Sequence, residues 1–329
     1  MATQTIVPVI DMTGFLHGNA ADKADIARQF GAAFEQVGFA AIVGHGVPET
    51  LAQEMYAQAS NFFARPFAEK VAHMPPEAAK GRGYLPLGIE SVAATLAGET
   101  PPDLCEALVF GSLQRERAGL GKANIWPTEP AALSPCVNAW FDAMHALCGQ
   151  LMRMSALALD LPEDHFESSF TEPSLTLRFV NYPDQIEPPA AGQLRYGAHH
   201  DYGGLTILRQ DPAQGGLQIC RRDDNGNDTW HDVPAIPGSF VINAGDLMAR
   251  WTNDRWRSTL HRVSNPPRHL SGSTRRLSMV AFTGPNDATE VRCLPTCRSA
   301  DAPPLYQPVL AGDYIRQKLA ASMDIGKAA

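Results

Sequence analysis

The stretch YGAHHDYGGLTIL, residues 196–208, sets His199, His200 and Asp201 in a row. A β-strand alternates its side chains between two faces, so His199 and Asp201 share one face and His200 takes the other. One imidazole and one carboxylate on a common face can serve one metal ion. His261, in the later stretch STLHRVSNP, offers a second imidazole from another strand. Two histidines and a carboxylate on one side of the metal suit non-heme iron(II) and leave coordination positions open for other ligands. His200 could take the place of His199, but it lacks the two-residue offset from the aspartate. His45, His73, His145, His165, His231 and His269 read as ordinary hydrogen-bonded histidines.

A second constellation follows in TRRLSMVAF, where Arg276 and Ser278 are two apart and share a strand face with Val280 and Phe282. The apolar continuation turns that face inward, and Arg275, of opposite parity, should be solvated. A guanidinium beside a hydroxyl holds a carboxylate through paired, charge-assisted hydrogen bonds. Next to an iron site this arrangement suits a 2-oxo acid, whose keto-carboxylate end chelates metal while its far carboxylate meets Arg276. In SLTLRFVNYP, if Tyr182 faces the cavity, so do Val180 and Arg178, leaving Leu175, Leu177 and Phe179 for the outer layer. A buried arginine needs an anionic partner, which for Arg178 is either a substrate group or a structural carboxylate.

These residues need a rigid frame. Before them the chain reads as helices between short strands: Ile26, Phe30 and Phe34 form one apolar helical face ended by Gly38, and Leu51, Met55 and Phe62 another before Pro66. FAAIVGHGVP reads as a buried strand and turn, and 80–102 as Gly/Pro-rich loop. Val137, Trp140, Met144, Leu147 and Leu151 mark the buried stripe of a long helix. Short strands bounded by Gly, Pro and Asn then follow, spaced as in a barrel or sandwich, before a closing helix in GDYIRQKLAASM.

The 329 residues are 44% hydrophobic, enough for a large core, and the net charge of −8 without a Lys/Arg run argues against nucleic acid or an anionic membrane as partner. No apolar run reaches membrane-spanning length and the N-terminus lacks a secretory pattern. Six scattered cysteines fit reduced thiols in the cytoplasm, and Cys293 and Cys297 lack neighbours to complete a zinc set. A small molecule is the expected partner.

The motifs VPVIDM, VGFAAIVGHGVP, RFVNYP, GAHHDYGGLTIL, WTNDRWRSTLHRV and RRLSMVAF, with the PPLYQPVLAGDYIRQKL tail, resemble in order those of the isopenicillin N synthase-like iron(II)/2-oxoglutarate-dependent oxygenases. The likeness covers nearly the whole chain. It implies iron(II) held by His199, Asp201 and His261, and 2-oxoglutarate held by Arg276, Ser278 and Tyr182, with dioxygen as oxidant. It implies a β-dominated α+β fold: a double-stranded β-helix (jelly roll, cupin-like) core with N-terminal helices, a long helix before the core and a C-terminal helix. The expected organisation is one catalytic unit over 1–329. Within it lie an N-terminal region 1–110, a supporting helix at 129–160, a jelly-roll core at 174–290 and a C-terminal segment 300–329. Two departures are His200 within the His-x-Asp motif and Thr252–Asp254 where an Asn-Gly turn is usual. The expected reaction is oxidation, by default hydroxylation, of a C–H bond in a small, carboxylate-bearing metabolite. Arg178, Arg82 and Tyr84 are the expected substrate contacts. The alternatives are a 2-oxoglutarate-independent iron oxidase that closes rings or desaturates, a metal-dependent isomerase or hydrolase, and a non-catalytic binding protein. The chain is expected to act as a cytoplasmic monomer.

Overall fold

The computed structural model describes residues 6–76, 81–98, 100–119, 122–213, 215–222, 226–267 and 272–324, so Lys80 and His269 lie outside the described residues. β1 (Val9–Asp11) leads into α1 (Thr13–His17) and α2 (Ala20–Gln36), and β2 (Phe39–Val43) returns parallel to β1. α2 starts on a reciprocal cap: the Asn19 side chain accepts from Ala21 and Asp22 N–H, and Asp22 accepts from Asn19 N–H. Gly38 ends it at φ +76, where a Cβ would lie 2.3 Å from the Thr259 hydroxyl. α3 (Glu49–Phe63) and α4 (Phe67–Val71) follow, with Pro66 at the start of the second. The segment read as plain loop contains β3 (Gly83–Leu85) and one helical turn, α5 (Ala94–Ala97). A strand of three residues is too short to announce itself by alternation.

β4 (Glu106–Phe110) and α6 (Leu113–Arg117) precede the long α7 (Leu133–Ala158), whose expected stripe is buried from Val137 to Leu151. The core strands are β5 (Thr176–Tyr182), β6 (Tyr196–His199), β7 (Leu205–Arg209), β8 (Leu217–Arg222), β9 (Asp228–Asp232) and β10 (Phe240–Ala244). α8 (Asp246–Trp251), β11 (His261–Val263), β12 (Arg276–Phe282), β13 (Glu290–Val291), β14 (Val309–Leu310) and α9 (Ala311–Asp324) complete the chain. The turn after α8 takes left-handed backbone at Asn253 (φ 54) and Asp254 (φ 62), which short polar side chains tolerate, so it does without the usual glycine.

Two sheets make the double-stranded β-helix. The larger runs β1-β2-β10-β7-β12-β5-β4-β3, and the smaller runs β6-β11-β8-β9. Leu175, Leu177 and Phe179 face the helical layer with α2, α3 and α7, as their parity requires. Val180, Tyr182, Val263 and Cys105 form a smaller cluster inside the barrel, with Tyr196 and Val280 against it. That inner face carries the chemistry. Among the described residues no helix is long and apolar enough to cross a membrane.

Candidate metal and co-substrate site

His199 ends β6 and His261 opens β11, and the antiparallel ladder sets the two directly opposite. Their Nε2 atoms lie 3.6 and 3.7 Å from Oδ1 of Asp201, and one ligand atom from each residue falls within 4.8 Å of the others. All remaining polar atoms of the three are committed. Nδ1 of His199 donates to the Gly197 carbonyl at 2.9 Å, and Nδ1 of His261 to the Thr259 carbonyl at 3.0 Å. Because a carbonyl only accepts, each Nδ1 carries the proton and each Nε2 presents a lone pair to the common point. Oδ2 of Asp201 accepts from the Thr206 hydroxyl (2.6 Å) and the Asn243 amide (2.7 Å), which leaves Oδ1 for the same point.

Electrostatics agree with that assignment. Burial would raise the Asp201 carboxyl, but His261, His199 and the Thr206 hydrogen bond outweigh it and hold the group well below the usual carboxylate range. Burial, then the neighbouring His199, push His261 down to about 4. A carboxylate and neutral imidazoles on one side are a donor set that fits iron(II). His200 faces away, its Nδ1 on the Ser258 carbonyl at 2.7 Å.

Arg276 and Tyr182 are paired residues of β12 and β5. The Ser278 hydroxyl is in hydrogen-bonding reach of the Tyr182 phenol, which burial pushes far above its ordinary range. Arg276 is buried; its Nη1 donates to the Asp211 carbonyl (2.8 Å), its Nη2 to Oε1 of Gln210 (3.0 Å), and its Nε has no partner. A Cβ on Gly216 would stand 3.1 Å from Nη1, so glycine keeps the space before the guanidinium open. A buried cation with a spare donor beside a hydroxyl and a phenol fits the far carboxylate of 2-oxoglutarate.

The expected substrate contacts divide. Arg178 faces inward but is held by Glu90, with Nη1 to Oε1 at 3.1 Å and Nη2 to Oε2. The guanidinium of Arg82 lies against Gly111, next to the end of β4, with Nη1 on the Gly81 carbonyl. Tyr84 is not on the substrate side. It is buried in the outer core, and its hydroxyl donates to Glu106. Its parity on β3 pairs it with Leu108, whose side chain faces the helices. Arg275 is half-buried rather than freely solvated: it reaches the Asn181 amide oxygen (2.9 Å) and the Ser60 carbonyl (3.2 Å).

Several supporting residues escaped the sequence reading. Thr206 and Asn243 come from two other strands, and no local pattern links them to Asp201. Asp103 ties two segments to the site, accepting from Gly197 N–H (2.8 Å) and Val92 N–H (2.9 Å). Arg195 could have been found, since it shares the parity of His199. It is buried beneath the Tyr182 ring, and burial and then Arg276 push it down to about 10. Beside Asp201 a cleft of about 860 Å³ is lined by His200, Tyr202, Asp246, Arg250, Tyr314 and Lys318, but by none of His199, Asp201 and His261. Asp246 anchors its wall, donating through its N–H to the Asp201 carbonyl (2.8 Å) and accepting from Tyr314 (2.9 Å) and Lys318 (3.0 Å).

The chain is similar to known proteins along its whole length. Residues 7–129 match the family described as non-haem dioxygenase in morphine synthesis N-terminal, and 171–285 match the 2OG-Fe(II) oxygenase superfamily. The 2-oxoglutarate-Fe(II) type oxidoreductase hxnY of Emericella nidulans is 31% identical over 95% of this chain and 89% of its own. Homoarginine-6-hydroxylase 2-ODD-C23 of Glycine max is 30% identical over 97% and 98%. Among solved structures, a full-length Neurospora crassa protein in complex with alpha-KG and thymine is 29% identical, covers 98% of both chains and superposes with a TM-score of 0.84. With both family regions matched in order and the His-Asp-His cluster assembled where the ladder brings β6 and β11 together, the chain belongs to the 2OG-Fe(II) oxygenase superfamily, enzymes that use iron(II), 2-oxoglutarate and dioxygen.

Proposed function

We propose that His199, Asp201 and His261 hold the iron, that Arg276, Ser278 and Tyr182 hold 2-oxoglutarate, and that the enzyme hydroxylates a C–H bond of a small polar metabolite. The observation that carries this reading is the convergence of two Nε2 lone pairs and one carboxylate oxygen while every other polar atom of those residues is occupied. Iron(II), when bound, supplies dioxygen activation coupled to decarboxylation of the 2-oxo acid. The balanced outcome is one oxygen atom in the alcohol and one in succinate, with carbon dioxide released. The protein's part is orientation: Arg276 and Ser278 fix the far carboxylate, Tyr182 packs beside it, and Val180, Val263 and Val280 keep the interior apolar.

The carboxylate-bearing substrate expected above rested on Arg178 and Arg82. Glu90 neutralises Arg178, so that expectation keeps only Arg82. The chain reads as one catalytic unit, since β1 to β4 join the same sheet as the core strands. Six free cysteines and the acidic charge support a cytoplasmic monomer that acts on free small molecules.

Anaerobic addition of iron(II) and 2-oxoglutarate to the apoprotein is expected to give a weak visible charge-transfer band. Arg276→Leu should weaken 2-oxoglutarate binding about a hundredfold and leave iron binding intact. A wild-type protein without the band would overturn the proposal. Turnover without succinate would point instead to a 2-oxoglutarate-independent oxidase.

A further inference from the structure

The guanidinium of Arg276 is aimed by a chain of contacts that begins outside the barrel. Its two Nη groups donate to the Asp211 carbonyl and to Oε1 of Gln210, the pair of residues that follows β7. The ladder between β7 and β12 reaches only as far as Arg209, opposite Met279, so strand pairing does not fix those two acceptors. The Asp211 side chain secures the turn instead. Its Oδ1 accepts from Ala213 N–H (2.8 Å), and its Oδ2 accepts from Leu277 N–H (3.1 Å) and the Tyr56 hydroxyl (2.7 Å).

These three donors differ in origin. Ala213 belongs to the same turn, and Leu277 follows Arg276 directly. Only Tyr56 comes from the helical layer, where it sits in the middle of α3. Burial and then the hydrogen bond to Asp211 push its phenol up to about 12, so it keeps its proton and gives the carboxylate a charge-assisted bond.

α3 meets this end of β12 a second time, where the Ser60 carbonyl accepts from Nη2 of Arg275 at 3.2 Å. Tyr56 and Ser60 are four apart and lie on one face of the helix. Arg275 and Arg276 point to opposite faces at the start of β12. The helix reaches both, the outer one directly and the inner one through Asp211. A guanidinium is a flat fork with donors in fixed directions, so a shift of the turn that holds two of them re-aims the rest.

We propose that Tyr56 is a positioning residue for the co-substrate: through Asp211 it sets the plane of the Arg276 guanidinium, and so α3 tunes the grip on the far carboxylate of 2-oxoglutarate. This rests on the reading of Arg276 as the carboxylate clamp.

Tyr56→Phe deletes the hydroxyl and keeps the ring. 2-Oxoglutarate is titrated calorimetrically under nitrogen into the full chain loaded with iron(II), and thermal melting checks that each variant folds. Tyr56→Phe is expected to weaken 2-oxoglutarate binding about three- to tenfold with iron(II) affinity unchanged. The loss should vanish in an Arg276→Leu background, because the hydroxyl then has no fork to aim. A hydroxyl that only stabilised the fold would lower the melting temperature in both backgrounds and show no such dependence on Arg276. The proposal is overturned if Tyr56→Phe binds 2-oxoglutarate as wild type does, or if the same loss persists on top of Arg276→Leu. An Arg276→Leu protein that holds 2-oxoglutarate as tightly as wild type would defeat the clamp reading instead.

Discussion

A buried polar cluster lies on each side of the large sheet, and the two are built to opposite ends. On the outer face Glu106 accepts from Asn181 through Oε1 (2.7 Å) and from Lys70 (2.7 Å) and Tyr84 through Oε2, while Lys70 also donates to the Phe63 carbonyl (3.1 Å). That cluster closes on itself. On the inner side His199, Asp201 and His261 aim three ligand atoms at one point, and the Nε atoms of Arg178 and Arg276 have no partner. Burial of charge is common to both, so burial does not mark the active face. Convergence of unspent ligand atoms on one point does, since a lone unpaired donor such as Nε1 of Trp256 also occurs in the outer core.

The sharpest way to break this contrast is to remove one member from each side. His199→Ala is expected to abolish the charge-transfer band and drop turnover to background. Stability of the metal-free protein should fall by only about 1–2 kcal/mol, because the imidazole gives up one hydrogen bond to the Gly197 carbonyl while Asp201 keeps its Thr206 and Asn243 donors. Glu106→Ala should do the reverse. It strands the buried Lys70 ammonium and is expected to lower stability by about 3–5 kcal/mol in urea unfolding, with iron and 2-oxoglutarate binding preserved in the folded fraction. A Glu106→Ala protein that keeps its stability but loses the band would erase the distinction between the faces.

The contrast also explains what the sequence could disclose. Parity separated Tyr182 from Phe179 because the period of two is imposed by the backbone, and it paired His199 with Asp201 although β6 ends at His199 and Asp201 follows in the loop. Tyr84 was out of the rule's reach: its segment read as a loop at the barrel mouth, and β3, three residues long, shows no alternation from which to choose a face. Arg275 was misjudged because parity tells inside from outside of the barrel, not outside from solvent: the outer face is covered by α3. Glu90, Asp103, Thr206 and Asn243 lie on other segments, and their meeting with the site is a property of tertiary packing alone. The jelly-roll core was legible through its turn residues, whereas the face that β3 turned to the core was not.

Asn243 tests the inner cluster more gently. It donates one of two hydrogen bonds to Oδ2 of Asp201 and sits on β10, away from the point where the ligands meet. Asn243→Ala should leave the three ligands in place and weaken iron(II) affinity about 10- to 100-fold, read by competition with a chelating dye. Unchanged affinity would mean that Thr206 alone orients the carboxylate.

The smallest net effect is expected from pH, because two groups at or beside the His-Asp-His cluster oppose each other. His261 sits at about 4, below its ordinary 6.5, through burial and the adjacent His199. The unfolded chain binds that proton more readily, so in the metal-free protein this stabilisation is whole above pH 6.5 and drains away toward pH 4. Asp103 runs the other way: burial lifts its carboxyl from 3.8 to about 6, against the restraining N–H bonds of Val92 and Gly197. The folded chain holds that proton more tightly, so the contribution is complete below pH 3.8 and is lost as pH rises through 6. Each is on the order of 3 kcal/mol, and between pH 4 and 6 they offset. Removing one should therefore expose the other. Metal-free Asp103→Asn is expected to lose stability on acidification from pH 6 to 4 faster than wild type, and His261→Gln to gain it. Identical slopes in all three proteins would show that neither group is perturbed by its burial. Opposite slopes would show that the inner face remains under electrostatic strain until a cation arrives.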